Sequence, residues 1–212
     1  MTTWALLAPG PSASAEDAER VRAAGIPLGV IGNAFQLAPW ADFLAATDSA
    51  WWRKYPEALT LPGAKYTMHQ VKGVERVKVA GYVSVNSGVL GLEVARSKGA
   101  SRILLLGFDM HGTHFFGPYT NGLSNTTDQR RRMHLAQYDR WAARNRGIEV
   151  FNCTAGSALK CFPEARLDDF CSDVQVAHAG VSGEVHGGAC EHAAPDGAEA
   201  LQVAAPIHLH HG

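Results

Sequence analysis

The sequence predicts an α/β fold in three layers, with helices on both faces of a mostly parallel sheet. Short apolar runs alternate along the chain with helical segments, and Gly and Pro mark the turns between them. The runs are continuous rather than alternating, as in strands that are buried on both faces. With 212 residues, the chain has room for one such domain and a tail, but not for two full domains.

The first strand and the turn after it predict a phosphate site. Trp4 to Ala8 is the predicted strand, and Ser14, with an acidic residue three positions on, is the N-cap of the next helix. Between them, Gly10, Pro11 and Ser12 form a turn at a helix N-terminus, where backbone N–H groups and the helix dipole favour an anion. The alternative is an ordinary turn that binds nothing.

The next two strands predict two further polar groups at the same edge of the sheet. Leu28 to Gly32 is followed by Asn33, and Phe43 to Ala46 is closely followed by Asp48. Asn33 can both donate and accept hydrogen bonds, which suits a base or ribose edge. The first turn has no G-x-G-x-x-G and the second strand does not end in an acid, which disfavours NAD and FAD.

The chain after the third strand predicts little chemistry. Trp51 to Tyr55 is an aromatic and basic cluster that we expect on a helix packed against the domain, with a stacking platform as the alternative. Two short β-like segments follow, Lys65 to Met68 and Val74 to Val79. We expect them to form an excursion or a small sheet near the site.

A second helix N-terminus predicts another anion site. Asn86, Ser87 and Gly88 precede an almost wholly apolar run, Val89 to Ala95, and Gly99 ends the helix. A helix this apolar packs on a sheet. Its first residues would hold an anion such as phosphate.

The strand after this helix ends in a polar loop with candidate catalytic residues. Ile103 to Leu106 is the strand, and Asp109, His111 and His114 come just past its C-terminal end, where ligands bind in open α/β sheets. Histidine titrates near neutral pH, so His114, or failing that His111, is the candidate base. The alternative for each histidine is a structural role, capping the loop or lying on its surface. Asp109 either holds the loop or positions His114.

The last helix and strand give weaker signals. Residues 126–129 predict a capping box for a long helix, and residues 148–152 a last strand that leads through a polar turn with free N–H groups into a short helix. Arg130, Arg131 and Arg132 lie in the first turn of the long helix, where the helix dipole does not favour cations. They form a solvated face, or one of them reaches a phosphate.

Composition limits the classes of partner and compartment. Charged residues are 18% of the chain and its formal net charge is −1, so a global basic field for nucleic acid is absent and small or uncharged partners fit better. No apolar stretch approaches the ~20 residues that span a bilayer. The four cysteines have no C-x-x-C spacing and follow no secretory segment, which predicts reduced thiols in the cytoplasm.

The composition changes near the C-terminus. From Cys171 onward Ala, Gly and His dominate, and the apolar residues lose any period. We therefore expect a domain over residues 1–169 and a flexible tail over residues 170–212.

Three motifs together resemble one family. They are L-L-A-P-G-P-S, then N-S-G opening a helix with A-R-S-K-G-A near its end, then I-L-L-L-G-F-D-M followed by T-H-F-F-G. Their order resembles the Rossmann-like group that joins bacterial sialyltransferases of the lipooligosaccharide type with hydroxymethylpterin pyrophosphokinase-like proteins. The similarity covers about Trp4 to Asp169 and is strongest to poorly characterised phage-encoded members, which would act in the cytoplasm of a host cell.

The resemblance implies a nucleotide site and a base. The positions that match the family's donor-binding motifs are Gly10, Pro11, Ser12, Asn33, Asp48, Asn86, Ser87 and Gly88. The family's H-Y-x-G-H segment corresponds to His114-Phe-Phe-Gly-Pro118, so the second histidine, which activates the acceptor, is replaced by proline. His114 is present, and Tyr119 lies close to where the family has phosphate-supporting tyrosines.

Three functional hypotheses follow from the resemblance and the residues. The first is a metal-independent glycosyltransferase that needs no cofactor and uses a nucleotide-sugar donor, similar to a CMP-sugar, and a hydroxyl acceptor on a glycan, a modified base or a small molecule. The second is a pyrophosphokinase or phosphotransferase that needs Mg²⁺, with Asp48 and Asp109 as ligands. The third is a non-catalytic nucleotide-binding phage protein. The homo-oligomeric state is left open.

Overall fold

The computed structural model describes residues 1–171. Within these residues a seven-stranded sheet forms the centre of the domain, and its strand pairs are parallel. The strands are β1 Thr3–Leu7, β2 Leu28–Ile31, β3 Phe43–Ala45, β4 Ala64–Thr67, β5 Glu75–Arg76, β6 Arg102–Leu106 and β7 Glu149–Asn152. Their order in the sheet is β5-β4-β3-β2-β1-β6-β7.

Helices cover both faces of this sheet. The α-helices of the described residues are α1 Ala15–Ala23, α2 Ser49–Lys54, α3 Ser87–Ser97 and α4 Asp128–Arg144, and short 3-10 helices span Gly32–Gln36, Pro56–Thr60 and Leu167–Asp169. Helices α1 and α2 pack on one face, and α3 and α4 on the other. The predicted three-layer α/β sandwich is confirmed. None of the helices in residues 1–171 is long and apolar enough to cross a membrane.

The central strand explains why the apolar runs are continuous. Leu6 of β1 packs in the layer of α3 and α4, whereas Ala5 and Leu7 pack in the layer of α1 and α2. All three side chains are fully buried. A strand covered on both faces needs apolar residues at successive positions.

The strand order reverses beside β1. From β1 the chain moves outward through β2, β3, β4 and β5, and α3 then returns it to β6, on the other side of β1. The β1 and β6 pairing runs from Thr3 and Arg102 to Leu7 and Leu106. In open α/β sheets a ligand crevice lies outside the carboxyl ends of strands at such a reversal.

Strands β4 and β5 correct one sequence prediction. They do not form an excursion or a separate small sheet, because each pairs in parallel with the strand before it and extends the main sheet. Tyr66 of β4 also packs edge-on against Phe43 of β3, with ring centroids 5.9 Å apart. The segment between Gly63 and Val79 is therefore an edge of the domain.

Two further corrections concern segments near the site. Helix α4 takes its N-cap from Thr127, whose Oγ1 accepts the Arg130 N–H over 3.2 Å, one residue later than the predicted capping box. Residues 153–163 form turns instead of a short helix. Thr154 and Ser157 hydrogen bond to the backbone of Phe108, across the sheet edge, instead of capping a helix.

The end of the described chain belongs to the domain. Phe170 packs on Phe151 of β7 with ring centroids 5.1 Å apart, and the Cys171 N–H donates to the Leu167 carbonyl over 3.0 Å. These two residues were included in the predicted tail. The remainder of that prediction, residues 172–212, lies outside the described residues.

Candidate functional site

A cavity of about 730 Å³ opens at the carboxyl edge of the sheet, beside the strand reversal. Its walls come from the turn after β1, the N-terminus of α3, the loop after β6 and the first half of α4. The predicted site residues that line it are Gly10, Asp48, Asn86, Ser87, Gly88, Asp109, His111 and His114. Pro11, Ser12 and Asn33 are not part of the lining.

The buried carboxylate of Asp109 joins the turn after β1 to the loop after β6. Its Oδ2 accepts the Ser12 hydroxyl over 2.9 Å and the Ser12 N–H over 3.4 Å, and Asp109 is 2% exposed. The Gly10 N–H donates to the Gly107 carbonyl over 3.1 Å. A Cβ on Gly10 would lie 2.1 Å from Asp109 Oδ2, so the close approach requires glycine. The N–H groups of Gly10 and Ser12 are thus bonded within the protein, and a phosphate at this turn stays a prediction.

The N-terminus of α3 presents free backbone donors to the cavity. Asn86 caps the helix through Oδ1, while its Nδ2 and backbone N–H donate to Gln137 Oε1 of α4 over 2.9 and 2.8 Å. Ser87 Oγ accepts the Thr47 N–H over 3.0 Å, which fixes α3 to the end of β3. The N–H groups of Ser87 and Gly88 have no partner among residues 1–171, as expected for the first turn of a helix.

A tyrosine of α4 lies against this helix N-terminus. Tyr138 is 3% exposed and lines the cavity, and a Cβ on Gly88 would come within 2.0 Å of its hydroxyl oxygen. Burial raises the pKa of Tyr138, with a smaller contribution from Cys161, and no hydrogen bond from the described residues opposes the shift. The hydroxyl therefore stays protonated at neutral pH and remains available as a donor.

Asn33 lies beneath the cavity wall. It is 1% exposed, and its Oδ1 accepts the Trp51 Nε1–H over 2.7 Å and the Tyr119 hydroxyl over 2.8 Å. Trp51 and Tyr119 themselves line the cavity. Asn33 thus holds two aromatic rings in the wall, and its predicted contact with a base or ribose stays a prediction.

The two carboxylates suggested for Mg²⁺ both line the cavity, but each also has a partner within the protein. Asp48 caps α2, its Oδ1 accepting the Ala50 N–H over 2.7 Å, and Asp109 accepts from Ser12. Over residues 1–171, no group of three or more His, Cys, Asp and Glu side chains is placed to hold a metal ion. The magnesium hypothesis therefore rests on these two residues.

The loop after β6 is braced by the turn after β7. The Phe108 N–H donates to Thr154 Oγ1 over 3.0 Å, and the Ser157 hydroxyl donates to the Phe108 carbonyl over 2.6 Å. Met110 then has a φ of 57°, a left-handed backbone conformation that a side chain disfavours. Such strain persists where surrounding contacts over-determine the backbone, often at functional sites.

The ring of His114 lines the cavity but is largely enclosed. It stacks on Phe116 with centroids 4.8 Å apart and packs against Tyr119 at 4.7 Å. Its Nδ1 is shielded from solvent and has no hydrogen-bond partner in the described residues. Burial lowers the pKa of His114, and a backbone hydrogen bond with Gly117 opposes only part of that shift. His111 also lines the cavity, and it is exposed.

Helix α4 supplies a wall of the cavity that the sequence indicated only through the arginines of its first turn. Arg131 pairs with Asp128 and donates from Nη2 to the Gly112 carbonyl over 2.9 Å, which holds the loop after β6. Arg130 lines the same cavity, and its guanidinium has neither an ion pair nor a hydrogen bond with residues 1–171. His134, one turn further along α4, also lines it. The arginine run in the first turn was the available signal, whereas nothing in the sequence indicated His134.

The fold and the cavity together define a Rossmann-like α/β domain with a pocket at the reversal of strand order. No family model and no curated protein matches the chain. Among solved structures, it is similar to the MAf glycosyltransferase from Magnetospirillum magneticum AMB-1, with a TM-score of 0.57 and 12% sequence identity. The match covers 79% of this chain and 34% of that protein, so the chain spans about a third of its neighbour. At this identity the similarity shows a shared fold.

Proposed function

We propose that the protein transfers a glycosyl group from a nucleotide donor to a hydroxyl acceptor. The observation that carries the proposal is the contact of Tyr138 with Gly88 at the N-terminus of α3. It puts a buried hydroxyl beside two unpartnered backbone N–H groups on one cavity wall, a set of donors that suits phosphate oxygens. The similarity to the MAf glycosyltransferase supports glycosyl transfer as the reaction.

The charge of the cavity wall supports a phosphate as leaving group. When the glycosyl bond breaks, negative charge grows on the donor's phosphate, and fixed donors and cations that face it lower the barrier. Helix α3 contributes its positive dipole end. Arg130 contributes a cation without a partner among residues 1–171.

An aromatic side chain in the wall supports a nucleotide as the carrier of that phosphate. Tyr119 is half-buried, lines the cavity and is fixed by Asn33, so its orientation does not have to be ordered on binding. Flat rings stack on bases, whereas Trp51 is only 5% exposed and serves to hold the wall. A donor similar to a CMP-sugar fits this arrangement, with a glycan, a modified base or a small molecule as the acceptor and no cofactor in the reaction.

A thermal-shift screen of nucleotides and nucleotide sugars, with CMP and CDP compounds included, tests the donor site. A donor at a hundred times its Kd adds about 2.7 kcal/mol of stability, which raises the Tm of a domain of this size by roughly 5–10 °C. If no compound shifts the Tm of a folded preparation, the donor site is refuted.

Variants then locate the bound donor. Tyr138→Phe removes one donor to a charged group and should weaken binding about 10- to 100-fold. Arg130→Gln should weaken it as well, whereas Arg132→Gln is the matched control, because Arg132 lies in the same turn of α4 but outside the cavity lining. Equal Kd values for Arg130→Gln and Arg132→Gln would remove Arg130 from the site.

The alternative chemistry is Mg²⁺-dependent phosphoryl or pyrophosphoryl transfer, since Asp48 and Asp109 line the same cavity. Donor turnover measured in EDTA separates the two reactions. Glycosyl transfer should continue in EDTA, and a loss that Mg²⁺ restores would assign the phosphotransferase instead. Nucleotide binding without any turnover would assign the non-catalytic nucleotide-binding protein.

A further inference from the structure

The α4 wall contains a histidine that is free to react with a bound ligand. His134 lies in the second turn of α4, half-buried, and lines the cavity. Its imidazole forms no hydrogen bond with residues 1–171. Among the described residues, the side-chain nitrogen that is both shielded from solvent and without a partner belongs to His114, not to His134. The ring therefore has a free nitrogen for a group that enters the cavity.

The surroundings of His134 favour its neutral form. Burial lowers the pKa of the imidazole, and the positive charges of Arg130 and Arg131, one turn earlier on the same helix, lower it further. A neutral imidazole keeps the lone pair that accepts a proton. Near neutral pH, His134 is thus in the form that a general base requires.

The other histidine candidates are less suited to this role. His114 has its Nδ1 shielded from solvent and its ring stacked on Phe116, an arrangement that stabilises the loop after β6. His111 is exposed, so no packing fixes its ring toward a bound acceptor. A general base must lie within hydrogen-bond reach of the proton that it removes, and His134 combines partial burial in the wall with an unbonded ring.

We propose that His134 takes the proton of the acceptor hydroxyl, an inference that rests on the proposed glycosyl transfer. The oxygen of the acceptor hydroxyl attacks the anomeric carbon of the donor, and the O–H bond of that hydroxyl breaks. The bond from that carbon to the phosphate oxygen also breaks, and its electron pair leaves with the nucleotide. The proton moves to a ring nitrogen of His134 and later to solvent. Arg130, on the same wall, faces the charge of the departing phosphate.

The test compares binding and turnover in His134→Gln, using the donor that the screen identifies. Because the base acts only in the chemical step, kcat for nucleotide release should fall about 10²- to 10⁴-fold, while the donor Kd stays within about twofold of the wild-type value. Arg132→Gln is the control. Arg132 lies on the same helix as His134 but outside the cavity lining, and its replacement should leave kcat unchanged.

A second variant distinguishes a lost base from a disturbed helix. His134→Ala leaves space for a small molecule, so added imidazole should restore part of kcat if the missing group is a proton acceptor. Donor binding with wild-type kcat in His134→Gln, or a kcat deficit in His134→Ala that imidazole leaves unchanged, would overturn the assignment to His134. If His114→Gln loses kcat while His134→Gln keeps it, the base is His114. Failure of the wild-type protein to bind any donor would instead refute the proposed function, and this inference with it.

Discussion

Ser12 and Asp109 are bonded across the point where the strand order reverses: the Ser12 hydroxyl donates to Asp109 Oδ2 over 2.9 Å. Ser12 follows β1, Asp109 follows β6, and these strands are direct neighbours in the sheet. The bond therefore ties together the two chain segments that form one wall of the cavity. It also gives the carboxylate a structural partner, which favours holding the loop over positioning His114 as the role of Asp109.

Replacing Ser12 by alanine should reduce stability because it removes a donor from a buried carboxylate. A hydrogen bond to a charged group contributes about 1.5–3 kcal/mol, and because Ser12 is itself exposed and water can replace its hydroxyl, we expect a loss of unfolding free energy near the lower end of that range from urea titration. Ser124→Ala is the control, since Ser124 is also exposed but does not bond to Asp109, and its effect should stay within about 0.5 kcal/mol. Equal stability of the two variants would mean that the Ser12 bond does not hold the wall.

Replacing Gly88 by alanine should force α3 and α4 apart. The new Cβ would lie 2.0 Å from the Tyr138 hydroxyl oxygen and 2.9 Å from a Phe108 ring carbon. Overpacking typically costs about 1–3 kcal/mol, against the gain of up to about 1 kcal/mol for alanine over glycine in a helix. The net loss, measured by urea titration, should be smaller in Gly91→Ala, whose Cβ would clash only with the end of the Ile31 side chain at 2.4 Å and would lie at an ordinary contact distance of 3.7 Å from Leu6.

A double variant identifies the cause of that loss. If the new Cβ at position 88 strikes the Tyr138 hydroxyl, Gly88→Ala combined with Tyr138→Phe should lose less stability than the sum of the single changes. Additive losses in urea unfolding would place the strain elsewhere, at Phe108.

Some features of the site are encoded within a few neighbouring residues of the sequence, and others depend on contacts between residues far apart in the chain. The strands and α3 were predictable because continuous apolar runs and caps such as Ser14 and Asn86 are encoded within a few residues. That the Tyr138 hydroxyl meets Gly88 depends on the packing of two helices about fifty positions apart in the chain, and no local pattern reports such a contact.

Asn33 shows a second limit of local patterns. Its position after β2 suggested a ligand contact, which stays a prediction, whereas no local pattern indicated that its Oδ1 accepts from Trp51 and from Tyr119, 86 residues away. Likewise, β5 has only two residues, too few to carry a period. The sequence alone therefore did not determine hydrogen bonds between residues far apart in the chain, or edge strands as short as β5.

Stability should fall as the pH drops below the ordinary pKa of histidine. Burial lowers the pKa of His114 and of His134 in the folded protein, while both titrate near 6.5 in the unfolded chain, to within about one unit. At pH values between the folded and the unfolded pKa values, the unfolded state binds more protons than the folded state. The contribution of the two histidines to the unfolding free energy is therefore fully present above about pH 6.5 and is lost as the pH falls toward the folded pKa values.

Urea unfolding at several pH values between neutrality and the acid range measures this effect. His114→Phe can keep the stack on Phe116 and removes one titrating group, so its stability should decline less steeply with falling pH than that of the wild type. The part of the pH dependence that is due to His134 should remain in this variant. Parallel curves for the two proteins would show that His114 does not contribute to the pH dependence.

Replacing Asn33 by alanine should cost more stability than replacing Tyr119 by phenylalanine. Tyr119→Phe removes one hydrogen bond to Asn33 Oδ1, worth about 0.5–1.5 kcal/mol, and leaves the Trp51 bond of 2.7 Å in place. Asn33→Ala leaves both donors without their acceptor, and a buried unpaired donor costs about 1–3 kcal/mol. Urea titration of the two variants measures the difference. Equal losses would mean that the Trp51 bond contributes nothing to the wall, and the aromatic rings would then be held by packing alone.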